Sequence, residues 1–343
     1  MTSSPASPPT LEAVAERAGV SRATVSRVVN NSPKVTAEVV AAVNVAIKEL
    51  GYVPNRAARS LASRRTFAIA LVVPEDSSRV FDEPYFANIV QGIARFVSNT
   101  EYTLTLVFAS AKTVAKTNRY LLGGNVDGAL VVSHHAGDQL FSDLHGKLPL
   151  VFGGRPLVGE GEELYYVDTD NVGAAQRATE LFIKQGRTRI ATIAGPADMS
   201  VGVDRLQGWR QALQAAGMDD SLVEHGDFSP ASGAAAMRWL LQRGSVDAVL
   251  AANDLMAAGA YSVLAEAGLR IPQDVAVIGF DDDKFAAAAV PPLTSVSQPA
   301  SDMGSERARN LVRLVEGGKD VSRVTGMPTR LVVRPSTRTG EVL

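Results

Sequence analysis

Cysteine is absent from the 343 residues, which excludes disulfides, thiolate metal ligands and a cysteine nucleophile. Histidine is nearly as scarce. His134, His135, His145 and His225 are the only four, and none are spaced as H-x-x-x-H, so a zincin-type metal site is excluded. No apolar run reaches the roughly 18 residues that a membrane-spanning helix needs. The opening stretch MTSSPASPPT is uncharged and Ser/Pro-rich, unlike a secretory signal with its basic flank and apolar centre. Residues 1–9 are therefore expected to be a disordered tail, and the protein is expected in the cytoplasm without a membrane. The patterns G-x-G-x-x-G, G-x-x-x-x-G-K-[ST] and G-x-S-x-G are also missing. No metal, cofactor or catalytic residue is expected.

What is present is an ordinary globular composition, 46% hydrophobic and 20% charged. At about 150 residues per domain, the length suggests two domains with room for a small third. The net charge of −2 conceals an asymmetry: residues 1–65 hold nine basic and four acidic side chains, and the rest holds 25 basic and 32 acidic. A basic end on an acidic body points to a polyanion bound at that end, although a basic run is often just a solvated face.

Within residues 10–54 the pattern predicts three short helices. Leu11, Val14, Ala15 and Ala18 form an i, i+3, i+4, i+7 stripe, with Thr10 as its cap and Gly19 as its end. Ser21 can cap a second helix whose inward residues are Val25, Val28 and Val29. A third helix after Thr36 buries Val39, Val40, Val43, Ile47 and Leu50, then stops at Gly51. Two short helices around a Gly-containing turn, closed by a third, make an all-α helix-turn-helix headpiece. Residues 55–65, NRAARSLASRR, are basic and almost without an apolar face. Alone they are too short to hold a helix, so a hinge that orders on binding is expected.

From residue 66 to 343 strands alternate with amphipathic helices. Strands are expected at 67–73, 103–109, 127–133, 149–153, 189–195, 247–252, 274–280 and 330–334, and helices between them, as at 85–98, 171–185 and 301–316. Continuous apolar strands of this kind belong to parallel sheets covered on both faces. Some 280 residues exceed one ordinary sheet, so two doubly wound α/β lobes around a cleft are expected. A closed (β/α)₈ barrel is the rival architecture.

The segment from Thr10 to Arg65 closely resembles the headpiece and hinge of the LacI/GalR family of transcriptional regulators. The resemblance rests on VAERAGVS (14–21), TVSRVVN (24–30) and LGYVPNRAARSL (50–61), and continues through VDGALVVS, IATIAGP, DRLQGW, AANDLMAAGA, VIGFDD and PPLTSVSQP to about residue 336. It implies a body like a two-lobed periplasmic sugar-binding protein, with three crossings of the chain between lobes. It also implies a homodimer on a palindromic double-stranded operator. VFGGRPLVG, YVDTDN and GVDRLQGWR look most like cellobiose-responsive repressors of actinobacteria, which implies release from DNA by cellobiose or a related β-glucoside. A different small-molecule effector acting as corepressor is the alternative. A transport receptor and an enzyme on the same body are the rivals from other classes.

The resemblance also implies roles for individual residues. Arg22 and Ala23 select the operator and Arg27 makes a shared base contact, as suits a side chain matched to guanine. Ser26 lies one turn along the same helix face. Thr10, Ser21, Thr24 and Asn30 contact phosphates. Leu61 wedges into the minor groove beside Asn55, Ala58 and Arg59. Residues at the carboxyl ends of parallel strands face the cleft, and Arg205, Phe228, Asn253 and Asp281 match the family's effector contacts. Tyr85, Phe86 and Arg155 are first-lobe candidates. Asp254 and Asp281 are alternatively helix N-caps, and Phe228 is alternatively core. Ala300 stands where the family has an aromatic contact, which leaves the ligand's outer face open. One cation, Arg205, against Asp254 and Asp281 suits a neutral polyol better than a dianion.

Overall fold

A computed structural model describes residues 9–29, 32–53, 65–75, 83–110, 112–157 and 164–337. Two compact units emerge, Met1–Phe67 and Ala68–Leu343.

The first unit is the three-helix headpiece. In α1 (Leu11–Ala18) the Thr10 hydroxyl accepts the Ala13 N–H at 3.3 Å, and Gly19 closes the helix in the left-handed region at φ 66°. Ser21 Oγ accepts the Thr24 N–H at 3.1 Å to start α2 (Arg22–Val29). Gly51 ends α3 (Ala37–Leu50) at φ 61°. A left-handed turn there is nearly free for glycine and strained for other residues. Val14, Val25 and Val43 are fully buried at the centre, with Ala15, Val28, Ala46 and Tyr52 around them. The apolar stripes read in the sequence therefore meet in one core; Tyr52, beyond the last stripe, is an addition. The tail, Asn30 and the hinge residues Asn55, Ala58, Arg59 and Leu61 lie outside the described residues.

The second unit is an α/β body of two lobes. The first lobe opens with β1 (Ala68–Val73), α4 (Pro84–Val97), β2 (Thr103–Phe108), α5 (Val114–Tyr120), β3 (Gly128–Val132), α6 (Gln139–Leu144), β4 (Leu150–Gly153) and β5 (Tyr165–Thr169). The chain then crosses to build α7 (Asn171–Lys184), β6 (Ile190–Ala194), α8 (Ser200–Ala215), β7 (Val223–His225), α9 (Pro230–Arg243), β8 (Ala248–Ala251), α10 (Asp254–Glu266), β9 (Ala276–Asp281), α11 (Lys284–Ala288) and β10 (Thr294–Ser297). It returns to the first lobe for α12 (Ala300–Val315) and β11 (Val324–Met327), and crosses back for β12 (Arg330–Val332).

The sheets have six strands each, in the orders β11-β5-β4-β3-β1-β2 and β12-β10-β9-β8-β6-β7. All neighbours are parallel except β10 and β12. Two open sheets replace the barrel alternative. Both carry the strand-order reversal at which doubly wound folds bind ligands, between β1 and β3 and between β6 and β8. Strands β5, β10 and β11 and helices α5 and α6 were not expected from the sequence. In the first lobe α4 and α12 pack very closely, because a Cβ on Gly92 would collide with the Ser301 carbonyl and one on Gly304 with that of Ile89. Among the described residues no helix is long and apolar enough to cross a membrane, and no cluster of His, Asp and Glu is placed to hold a metal.

Candidate functional site

In the headpiece unit, α2 presents its amino end outward. Ser21, Arg22, Ala23 and Arg27 are exposed, while Thr24 and Ser26 are half-buried. Ser21 and Thr24 share a hydrogen bond between their hydroxyls at 2.9 Å, next to the capping bond. This arrangement sets two hydroxyls at the positive end of a helix dipole, where a phosphate is favoured. Arg22 pairs with Glu12 at 3.0 Å, but its side chain is 73% exposed. A pair so open to water contributes little and leaves Arg22 free to exchange partners. Thr10 caps α1 and is also exposed, its hydroxyl reaching the Glu12 carboxylate as well.

In the body unit a cleft holding about 810 Å³ of empty space, its open mouth included, lies between the two lobes at both strand-order reversals. The second-lobe wall centres on Arg205, which is 5% exposed. Its Nε donates to Asn171 Oδ1 at 3.0 Å and its Nη1 to the Ala252 carbonyl at 2.5 Å. Its Nη2 lies 3.8 Å from Asp281 Oδ1, and its guanidinium sits 3.5 Å from the centre of the Phe280 ring. A buried cation needs such partners, since desolvation outweighs any single attraction. Asp281 ends β9 at φ 105° and accepts from Gln298 Nε2 at 2.5 Å. A non-glycine residue held there is strained, a condition that clusters at binding sites. Burial pushes the Asp281 carboxyl up to about 6, against the pull of Arg205 and Gln298.

Asn253 lines the cleft and also takes the cap for which Asp254 was a candidate. Asn253 caps α10, its Oδ1 accepting from Met256 N at 2.8 Å, while its Nδ2 donates to the Phe228 carbonyl at 2.9 Å. Asp254 is not the cap. It is fully buried, accepting from Ser295 Oγ at 2.7 Å and Asp283 N at 2.9 Å. Burial, with Asp281 as a second negative neighbour, raises its carboxyl well above the ordinary range. Phe228, at φ 70° and nearly buried, lines the cleft beside Asn253.

On the first-lobe wall Tyr85 and Phe86 line the cleft as expected, from the first turn of α4. Arg155 does not. Its Nη2 reaches across the lobes to Asp204 Oδ1 at 2.6 Å, and its backbone N–H goes to Asp168. Opposite charge brought near by the fold claims it, a non-local fact. Its place as a wall cation is taken by Arg307 of α12, only 1% exposed, whose Nη2 contacts the Val167 carbonyl at 3.3 Å and the Tyr85 hydroxyl at 3.5 Å. Sequence reading missed Arg307, although it stands on the otherwise apolar stripe between Met303 and Leu311. The wall thus carries Arg205 and Arg307 against Asp168, Asp281 and Glu83, a near balance that still suits an uncharged polar ligand.

A second bridge joins the lobes through His135. Its Nε2 meets Glu75 Oε1 at 3.0 Å in the first lobe, and its Nδ1 meets Asp198 Oδ2 at 2.9 Å in the second. Hydrogen bonding to Glu75 first, then to Asp198, pushes the imidazole up to about 9. Because that value lies above the ordinary 6.5, the bridge's contribution is full below about pH 6.5 and is lost as pH rises through about 9. Thermal melts over that window should show the wild type losing stability relative to His135→Gln. Parallel melting curves would remove His135 from the bridge.

Comparison with known proteins adds relatives to this geometry. Residues 10–55 match the family described as bacterial regulatory proteins, lacI family, and residues 179–337 match the periplasmic binding protein-like domain. The HTH-type transcriptional regulator CelR of Thermobifida fusca is 50% identical over 335 residues, 96% of this chain and 98% of that protein. The ribose operon repressor of Escherichia coli (strain K12) is 33% identical over 303 residues, 86% of this chain and 89% of that protein. A transcriptional regulator CelR–cellobiose complex superposes with a TM-score of 0.77 at 48% identity, covering 96% of this chain and 99% of that one. The lac repressor dimer bound to operator and the anti-inducer ONPF gives 0.82 at 28% identity, covering 96% and 99%.

Proposed function

The chain belongs to the lacI family of bacterial regulatory proteins, and from that premise we propose that cellobiose, or a β-glucoside like it, fills the cleft and releases the protein from its operator. The protein is a DNA-binding transcriptional regulator, and the reading makes it a cytoplasmic repressor without enzymatic activity. It works as a homodimer, because a palindromic operator presents two half-sites to two headpieces. The observation that carries the effector reading is the charge-balanced cleft wall around Arg205 and Asp281. The likeness to a regulator seen with cellobiose supports the choice of sugar.

A sugar panel tested by thermal shift, followed by a gel shift with each hit, decides it. A ligand that binds only the folded protein stabilises it by about 2.7 kcal/mol at 100 times its Kd, a visible rise in Tm. Cellobiose should raise Tm and release DNA. Ribose or a purine doing so in its place overturns the β-glucoside assignment, and tighter DNA binding with cellobiose makes it a corepressor.

At the DNA end, Arg27 is proposed to read a base and Thr24 to hold a phosphate. Arg27→Ala should cost about 1–3 kcal/mol on the operator and relax preference at one position. Thr24→Ala should weaken all duplexes alike. Equal losses on operator and random DNA for Arg27→Ala would refute base reading. For Asn30, Asn55, Ala58, Arg59 and Leu61 the proposed DNA contacts rest on the resemblance in sequence.

A further inference from the structure

We infer that one edge of the sugar enters a hollow of the cleft beside Gly154, where its hydroxyls donate to Asp168 of the first lobe and accept from Ser200 of the second. The inference rests on the effector reading above and adds two specificity-determining residues to it. Gly154 follows β4 with φ at 97°, a backbone that side chains rarely adopt. A Cβ built there would have Asp168 Oδ2 and Ser200 Oγ as its nearest neighbours beyond residues 153–155, each at 3.9 Å, with His134 Cε1 at 4.0 Å. All four residues line the cleft. Glycine therefore leaves a hollow between the lobes that a larger residue would fill.

The two polar groups beside that hollow have capacity left over. Asp168 is half-buried and held still. Its Oδ1 accepts from the Thr169 N–H at 2.7 Å and from Asn171 Nδ2 at 2.9 Å, and its Oδ2 accepts from the Arg155 N–H at 2.8 Å. A carboxylate has about four lone-pair positions, so Oδ2 can accept once more. Ser200 is only 4% exposed. Its hydroxyl makes no hydrogen bond within the described residues, yet it is not among the polar atoms sealed from solvent. Ser200 opens α8, whose amino end has no side-chain cap, and the positive end of a helix dipole favours an oxygen placed there. Arg155 Nη2 grips Asp204 Oδ1 at 2.6 Å, one turn along α8 from Ser200, which keeps the two sides of the hollow at this spacing. Hydroxyls suit both groups because each can donate and accept. A carboxylate or phosphate would meet Asp168 with like charge, and an ammonium cannot accept from Ser200. A ligand held from both lobes binds the closed arrangement better than an open one, which is what a switch requires.

Calorimetry on the intact protein, with cellobiose and its monodeoxy derivatives, is the test. Ser200→Ala should bind cellobiose about five- to tenfold more weakly than the wild type, the usual worth of one hydrogen bond. Without sugar it should melt at the wild-type temperature, because the hydroxyl holds nothing in place there. For the wild type, removing one particular hydroxyl of cellobiose should cost a similar factor. For Ser200→Ala, removing that same hydroxyl should cost nothing more. Asp168→Asn keeps an oxygen toward Thr169 and Asn171, and it too should stop discriminating against at least one derivative. Undiminished cellobiose affinity in Ser200→Ala overturns the inference. So does a loss spread equally over cellobiose and every derivative, which would make Ser200 a structural residue. If the wild type itself ignores cellobiose, the effector reading fails and the inference falls with it; if only the variants behave like the wild type, the inference falls alone.

Discussion

Arg205→Ala yields a protein that binds operator DNA normally and keeps hold of it when cellobiose is added. Arg205 belongs to the body unit, whereas the residues proposed to touch DNA belong to the headpiece unit. Its removal strips Asn171 Oδ1 and the Ala252 carbonyl of a donor and leaves Asp281 without its cation. Breaking a buried charge pair from one side costs about 3–5 kcal/mol, which is more than a hundredfold in sugar affinity if the loss falls on binding. Some of it will fall on folding, so Asp281→Asn is the companion variant. It keeps the shape and removes the negative charge. Calorimetry with cellobiose and gel shifts on a duplex selected by the wild-type protein separate the outcomes. Normal sugar affinity in both variants moves the pocket elsewhere. Loss of DNA binding in both makes the pair a folding element.

A chain beginning at Ala68 loses operator binding entirely and retains cellobiose binding. The headpiece has its own core around Val14, Val25 and Val43, and the body has separate cores in each lobe. The nine basic side chains of residues 1–65 leave with the deletion, and the remainder has 32 acidic against 25 basic residues. Intact protein should lose affinity steeply with added salt, since each neutralised phosphate releases counterions. The truncated body should show no salt-sensitive binding at all. Retained operator affinity would break the division of labour between the units.

Long elements were legible in the sequence because their periodicity is strong. The three-residue and four-residue spacings of α1 to α3 and the continuous apolar runs of β1, β3, β6 and β8 survive without any neighbour. By contrast β5, YYVDT, and β10, TSVS, are short and mixed, and become strands because adjacent strands offer them a ladder. In the site, Arg205 and Asp281 announced themselves by standing inside long motifs, Asp281 at the end of β9 and Arg205 in the second turn of α8. Arg155 did so too, yet the fold placed Asp204 within its reach. Arg307 was hidden for a different reason, because it sits in a helix that reads as ordinary amphipathic sequence.

The crossings between lobes have an evolutionary consequence. Asn171 and Gln298 lie at two of them, and they are also the residues that hold Arg205 and Asp281 in place. Substitutions there alter affinity and the motion of the lobes at once, so a new ligand preference gained at those positions risks a broken response. Phe228 and Tyr85 belong to no crossing segment of the chain and line the walls of the cleft. A descendant acquiring a taste for another sugar has its freest path through such wall positions, where recognition can drift while the mechanical joint stays intact.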